Sequence, residues 1–221
     1  LRDSMKKKVA LFDFDGVIVN TEERNKEYLQ ETLYAFGIRL SEKDKYNLIG
    51  QNSKIIIPRI LAESGKNISM EEFLLKRKEK GNTYENSDIY PMPGLLPLLS
   101  CLREEGWKMG IVSATSTKLI VIALNRMRMM NLFDVIVCGD MCEKSKPDPE
   151  SYLKAMYFLN AEPDECIVFE DSTIGIRAAK LAKATVIAYR GSGILQDVHE
   201  ADYVIDSYDE INSDKINSDV M

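Results

Sequence analysis

The feature that most constrains the fold is a rhythm in the chain: short apolar runs alternate with longer stretches of helical period. The runs are Val9-Ala10-Leu11-Phe12, Met109-Gly110-Ile111-Val112, Val135-Ile136-Val137-Cys138 and Cys166-Ile167-Val168-Phe169, with two more at residues 184–188 and 203–205. Runs this short and this continuously apolar suit strands covered on both faces, as in a parallel sheet. Between them, Leu95, Leu98, Leu99 and Leu102 share one helix face, as do Ile120, Ala123, Leu124 and Met127. Tyr152, Ala155, Met156 and Leu159 make a third stripe, and Gly175, Ala178, Ala179 and Ala182 a narrow fourth. Asp148 before Pro149 reads as an N-cap followed by proline at the first helical position. The alternation predicts an α/β fold, a doubly wound parallel sheet of Rossmann-like type with helices on both faces.

One segment breaks the rhythm. Residues 21–90 carry no strand pattern. Tyr28, Leu29, Thr32, Leu33 and Phe36 predict one helix, and Ser69-Met70-Glu71-Glu72 has the capping-box spacing that opens another. Ile55-Ile56-Ile57 before Pro58 predicts a kinked helix. Residues 21–90 are therefore expected to form an inserted helical cap domain, with residues 1–20 and 91–221 forming the α/β core. Linkers near residues 19–22 and 88–93 would join the two and let the cap close over a site. The polar tail after Tyr208 is expected to fray.

Composition narrows the function. The 221 residues are 45% hydrophobic and 29% charged, a globular mixture with enough length for a core. A net charge of −6 argues against a nucleic-acid partner. No apolar run reaches the ~18 residues that a membrane span needs. The four cysteines, Cys101, Cys138, Cys142 and Cys166, form no C-x-x-C pair and read as reduced thiols of a cytoplasmic protein. His199 is the only histidine, too few imidazoles for a histidine metal site or a Ser-His triad. A monomer acting on a small molecule is expected.

Four polar clusters sit where predicted strands end, the edge at which open α/β sheets bind ligands. In Asp13-Phe14-Asp15-Gly16, one carboxylate can attack phosphorus while its neighbour handles protons, and glycine permits a sharp turn. Ser113-Ala114-Thr115-Ser116-Thr117 offers hydroxyls and backbone N–H groups to a phosphate. Lys144-Ser145-Lys146-Pro147-Asp148-Pro149 can aim an ammonium at a shared site. Glu170-Asp171-Ser172 pairs two acids suited to a hard cation. Taken singly, each is more often an acidic turn, an N-cap, a solvated loop or an acidic helix start.

Taken together and in this order, "LFDFDGVIVNTE", "GIVSATS", "KSKPDPESY" and "VFEDSTIGIRAAK" resemble the haloacid dehalogenase-like superfamily, nearest to its β-phosphoglucomutase-like phosphatases with a helical cap. The resemblance implies that Asp13 is the nucleophile of an aspartyl-phosphate mechanism and Asp15 the general acid and base. It implies Mg²⁺ held by Asp13, the Asp15 carbonyl and Asp171, with Glu170 a ligand or a partner behind them. Ser113, Ala114 and Lys146 would bind the transferring phosphoryl group, and Gln51, Asn52, Lys54 and Lys78 are the cap candidates for choosing the small phosphorylated substrate. Carbon–halogen hydrolysis needs no acid for its leaving group, so Asp15 argues against a dehalogenase. The related sugar mutases place a histidine where Asn25 stands and an arginine where Gly50-Gln51-Asn52-Ser53-Lys54 has none. A phosphatase is therefore expected; the alternatives are a β-phosphoglucomutase-type mutase and, behind it, a non-enzymatic phospho-ligand module.

Overall fold

The computed structural model describes residues 8–41, 53–193 and 196–211. The chain divides into two compact units, residues 1–20 with 89–221, and residues 21–88.

In the first unit the six apolar runs form one parallel sheet. Its strands are β1 (Val9–Phe12), β2 (Lys108–Val112), β3 (Val135–Val137), β4 (Cys166–Glu170), β5 (Thr185–Tyr189) and β6 (Tyr203–Ile205), in the order β3-β2-β1-β4-β5-β6. Every residue of β1 and β4 is buried, which is why these runs show no polar alternation. At the sheet edge β6 exposes Tyr203 and Val204. The register Phe12↔Ile111 and Phe12↔Phe169 brings the ends of β1, β2 and β4 level, so the residues that follow each strand emerge side by side.

The helices, in chain order, are α1 (Glu22–Ala35), α2 (Ser53–Glu63), α3 (Met70–Lys80) and the short α4 (Thr83–Asn86), then α5 (Leu95–Glu104), α6 (Thr117–Met127), α7 (Glu150–Leu159) and α8 (Thr173–Leu181). On one face of the sheet, Tyr152, Ala155, Met156 and Leu159 of α7 and Ile176, Ala178 and Ala179 of α8 pack with Val9, Leu11 and Val168. On the other, Phe12 and Phe169 stack with ring centroids 4.7 Å apart, and Tyr208 stacks on Tyr189 at 4.3 Å. Tyr208 is buried in a 3₁₀ turn over Tyr208–Glu210, and its hydroxyl donates to the Val17 carbonyl at 2.8 Å. The point from which fraying was expected thus holds the loop after β1, and residues beyond 211 lie outside those described.

One cap position departs from expectation. α7 begins at Glu150 with Pro149 as its cap residue, and the Asp148 carboxylate accepts the Glu150 N–H at 3.0 Å. Asp148 caps the helix from one residue further out, because Pro149 keeps near-helical angles without an N–H to offer.

The second unit holds α1 to α4, and none of its described residues forms a strand. Leu29, Leu33, Ile56, Ile57, Ile60, Leu61 and Phe73 make its own core. α2 carries Pro58 inside it, so the Ile55–Ile57 run is helical as expected. Both halves of the capping box are made: the Ser69 N–H donates to Glu72 at 2.8 Å and the Glu72 N–H to Ser69 Oγ at 3.2 Å. Among the described residues no helix is long and apolar enough to cross a membrane.

Candidate active site

The site begins where β1 stops. The Asp13 N–H donates to the Phe169 carbonyl at 2.9 Å, carrying the β1–β4 ladder one residue past the strand. The chain then turns through Gly16, whose φ is +83° and whose N–H donates to Val19 O at 2.8 Å. A Cβ on Gly16 would sit 1.8 Å from Asp171 Oδ2. Only glycine satisfies both the positive φ and that approach.

Lys146 connects the clusters. Its Nζ donates to Asp13 Oδ1 at 2.7 Å, Glu170 Oε1 at 2.6 Å and the Val112 carbonyl at 3.1 Å. The Tyr152 hydroxyl lies 3.0 Å from Nζ and donates to Glu170 Oε1 at 2.8 Å, and the ammonium stands 4.7 Å from the Tyr152 ring centroid. The Lys146 side chain is 5% exposed and that of Glu170 0%. A buried charge pair with this many hydrogen bonds is fixed in place, since removing either partner strands the other.

Glu170 points inward. Its Oε2 accepts the N–H groups of Asp171 and Ser172 and the Ser172 hydroxyl, at 3.0 to 3.1 Å. A Cβ on Gly175 would lie 1.8 Å from Glu170 Oε1, so the first turn of α8 can pass this carboxylate only with glycine there. Carboxylate oxygens of Asp13, Glu170 and Asp171 come within 4.8 Å of one another, an all-oxygen group suited to a hard divalent cation. Because Glu170 already serves five donors from the protein, Asp13 and Asp171 are the better placed to face such an ion.

Burial raises the Asp13 carboxyl to about 7; Lys146 opposes the rise, while Glu170 and Asp15 add to it. Burial acts to lower the Lys146 ammonium, but Asp13 and Glu170 outweigh it and hold the group well above its ordinary value. The lysine stays charged, and in the metal-free site burial works against the ionised form of the nucleophile candidate.

Ser113 follows β2. It is buried, its N–H donates to Val137 O at 2.9 Å, and its Oγ accepts the Thr115 N–H at 3.0 Å. Thr115 Oγ1 donates to Asp15 Oδ2 at 3.1 Å. Ala114 between them is exposed. The structure thus joins Asp13, Lys146, Glu170 and Asp171 directly and ties Asp15 to the Ser113 loop through Thr115. Tyr152 was not foreseen as part of the site, because its helical spacing also fits a core aromatic; a hydroxyl beside a buried lysine and glutamate is the signal that separates the two.

Of the cap candidates, Lys78 is exposed in the last turn of α3. Gln51 and Asn52 lie outside the described residues, as does the side chain of Lys54 in α2. Asn25, at the place where the mutases carry histidine, accepts a hydrogen bond from Thr83 Oγ1 at 2.8 Å.

The family model described as haloacid dehalogenase-like hydrolase matches residues 10–189. The chain belongs to that family. It is 33% identical over 191 residues to YhcW of Bacillus subtilis (strain 168), a protein that carries a phosphatase name, covering 85% of this chain and 86% of that one. It is 28% identical over 173 residues to the phosphorylated carbohydrates phosphatase of Thermotoga maritima, covering 78% and 80%. A solved β-phosphoglucomutase from Clostridium difficile superposes with a TM-score of 0.74 at 27% identity, over 98% of this chain and 99% of that one. Within the haloacid dehalogenase-like hydrolases, this chain is a phosphatase.

Proposed function

We propose that this phosphatase hydrolyses a small phosphorylated metabolite through an aspartyl-phosphate on Asp13. The observation that carries the reading is Lys146, which holds Asp13 Oδ1 at the end of the central strand while Glu170 anchors the lysine from behind. In the first step an Asp13 carboxylate oxygen attacks phosphorus, the bond to the leaving alcohol oxygen breaks, and Asp15 gives that oxygen its proton. In the second, Asp15 takes a proton from water, the water oxygen attacks the aspartyl-phosphate, and inorganic phosphate leaves Asp13 as a carboxylate again. The Ser113 hydroxyl offers an O–H donor to the phosphoryl oxygens, and Lys146, whose N–H groups are engaged by Asp13, Glu170 and Val112, supplies positive charge beside them. This is positioning and charge neutralisation, the main needs of phosphoryl transfer.

The carboxylate group fits Mg²⁺ as the cofactor, held by Asp13, Asp171 and the Asp15 carbonyl with Glu170 behind. Bound there, the ion supplies positive charge to the transferring phosphoryl group and favours ionised Asp13. Asp171→Ala should therefore weaken Mg²⁺ binding more than Asp15→Ala, which keeps its carbonyl. Calorimetric titration of both variants measures this; a larger loss in Asp15→Ala would contradict the ligand assignment. The reading places the enzyme in the cytoplasm as a monomer acting on a diffusible phosphate ester.

Sugar phosphates are the leading substrate class, in keeping with the relative named for phosphorylated carbohydrates. Hydrolysis rather than isomerisation follows from the missing cap histidine and arginine. A mutase must hold a bisphosphate at both ends while its phosphoenzyme waits for a hydroxyl. Here the phosphoenzyme is expected to pass to water. With β-glucose 1-phosphate, with and without glucose 1,6-bisphosphate, inorganic phosphate should be the main product. Glucose 6-phosphate formed without stoichiometric phosphate would establish the mutase instead.

A further inference from the structure

Thr115 belongs to none of the assigned roles, yet three of its polar groups are anchored at once. Its N–H donates to Ser113 Oγ at 3.0 Å, its hydroxyl donates to Asp15 Oδ2 at 3.1 Å, and its carbonyl accepts the Gly139 N–H at 2.9 Å. Ser113 comes from the loop after β2, Asp15 from the loop after β1, and Gly139 from the turn after β3. One residue therefore fixes three neighbouring loops at the end of the sheet where phosphate chemistry is placed.

The directions of these bonds matter. Because Ser113 Oγ accepts from the Thr115 N–H, one of its lone pairs is taken, and the hydroxyl proton is aimed elsewhere. Because Thr115 donates to one oxygen of Asp15, that carboxylate is tethered through Oδ2 and its rotation is restricted. A carboxylate that gives and then takes a proton must lie within hydrogen-bond reach of the leaving oxygen and of the attacking water in turn. Asp15 is half-buried on a turn rather than in a strand, so its own backbone does not fix the side chain.

We propose that Thr115 is a positioning residue, which sets Asp15 as acid and base and Ser113 as hydrogen-bond donor to the phosphoryl group in a single geometry. The proposal rests on the phosphatase reading above. It concerns the hydroxyl specifically: the backbone bonds of Thr115 survive substitution, whereas the link to Asp15 does not.

The experiment compares Thr115→Val, which keeps the shape and loses the hydroxyl, with Thr115→Ser, which keeps the hydroxyl. Two substrates are used: p-nitrophenyl phosphate, whose phenolate leaves without a proton, and whichever sugar phosphate in a panel the wild type hydrolyses fastest. The value of kcat/KM reports the chain of events through formation of the phosphoenzyme, and only the alkyl ester needs the acid there. Thr115→Val should lower kcat/KM on the sugar phosphate by about tenfold to a hundredfold, and on p-nitrophenyl phosphate by less than about threefold. Thr115→Ser should restore the sugar phosphate to within about threefold of wild type. Equal losses on both esters, no loss on either, or failure of the serine variant to rescue overturns the proposal. Circular dichroism checks folding, and Thr115→Ala carries the same comparison if the valine variant does not fold. A wild type that releases phosphate from neither ester removes the phosphatase reading, and the proposal with it.

Discussion

Asp13→Asn is expected to abolish turnover, by about 10⁴-fold or more, and to leave no acid-stable phosphoprotein after incubation with substrate. The amide nearly matches the carboxylate in shape but cannot attack phosphorus. Folding should survive, and the sign of the pKa change says more. Asp13 is raised from 3.8 to about 7, so its contribution to stability is full below pH 3.8 and is lost as pH rises toward 7. Above that range the ionised carboxylate is a burden on the metal-free protein. In EDTA at pH 8 the asparagine variant should melt no lower than wild type, and thermal denaturation reads this directly. Appreciable turnover by the pure variant would remove Asp13 as nucleophile.

Lys146→Met should be the single change most damaging to stability, and it should cost turnover as well. Methionine fills similar space but leaves Glu170, fully buried, without its cation. Breaking a buried pair from one side costs about 3–5 kcal/mol. For a chain of this size, each kcal/mol corresponds to roughly 2–4 °C in Tm. A fall of about 6–20 °C is therefore expected, along with loss of turnover. Adding Glu170→Gln to Lys146→Met should recover much of the Tm and none of the activity, because it removes the stranded charge and restores no cation for phosphate. A double variant as unstable as the single would show that the ion pair is not what holds this region.

The strands were legible because burial on both faces leaves an unbroken apolar run, as in β1 and β4. The site residues were legible as four clusters, and their meeting followed from a parallel sheet that presents all its strand ends on one side. What could not be read was the direction of side chains. Glu170 could be read either as a metal ligand or as a partner behind the ligands; its carboxylate is turned inward onto Lys146, Tyr152 and three donors of the next residues. The clue was Gly175, which reads in sequence as one small member of a helix stripe and in space as the clearance for that carboxylate. Thr115 was one hydroxyl among four in five residues, with nothing local to mark it. The helical second unit was legible as a segment without strand pattern, but of the side chains expected to choose a substrate, Gln51, Asn52 and Lys54 fall outside those described.

The strand order has a consequence for how the protein comes off the ribosome. β1 is made first, yet both of its neighbours are distant in the chain: Val9 pairs with Lys108 on one side and Cys166 on the other. Until β2 has emerged, the four apolar residues of β1 have two open edges, and until β4 emerges they still have one. Contacts this far apart in sequence close slowly. The nascent chain must therefore carry β1 with at least one open edge until β4 emerges, a period in which chaperone binding or aggregation competes with folding. Asp13, by the same order, is translated well before Lys146 and Glu170, which hold it in the folded protein. Fragments that stop short of β4 should be insoluble as well as inactive.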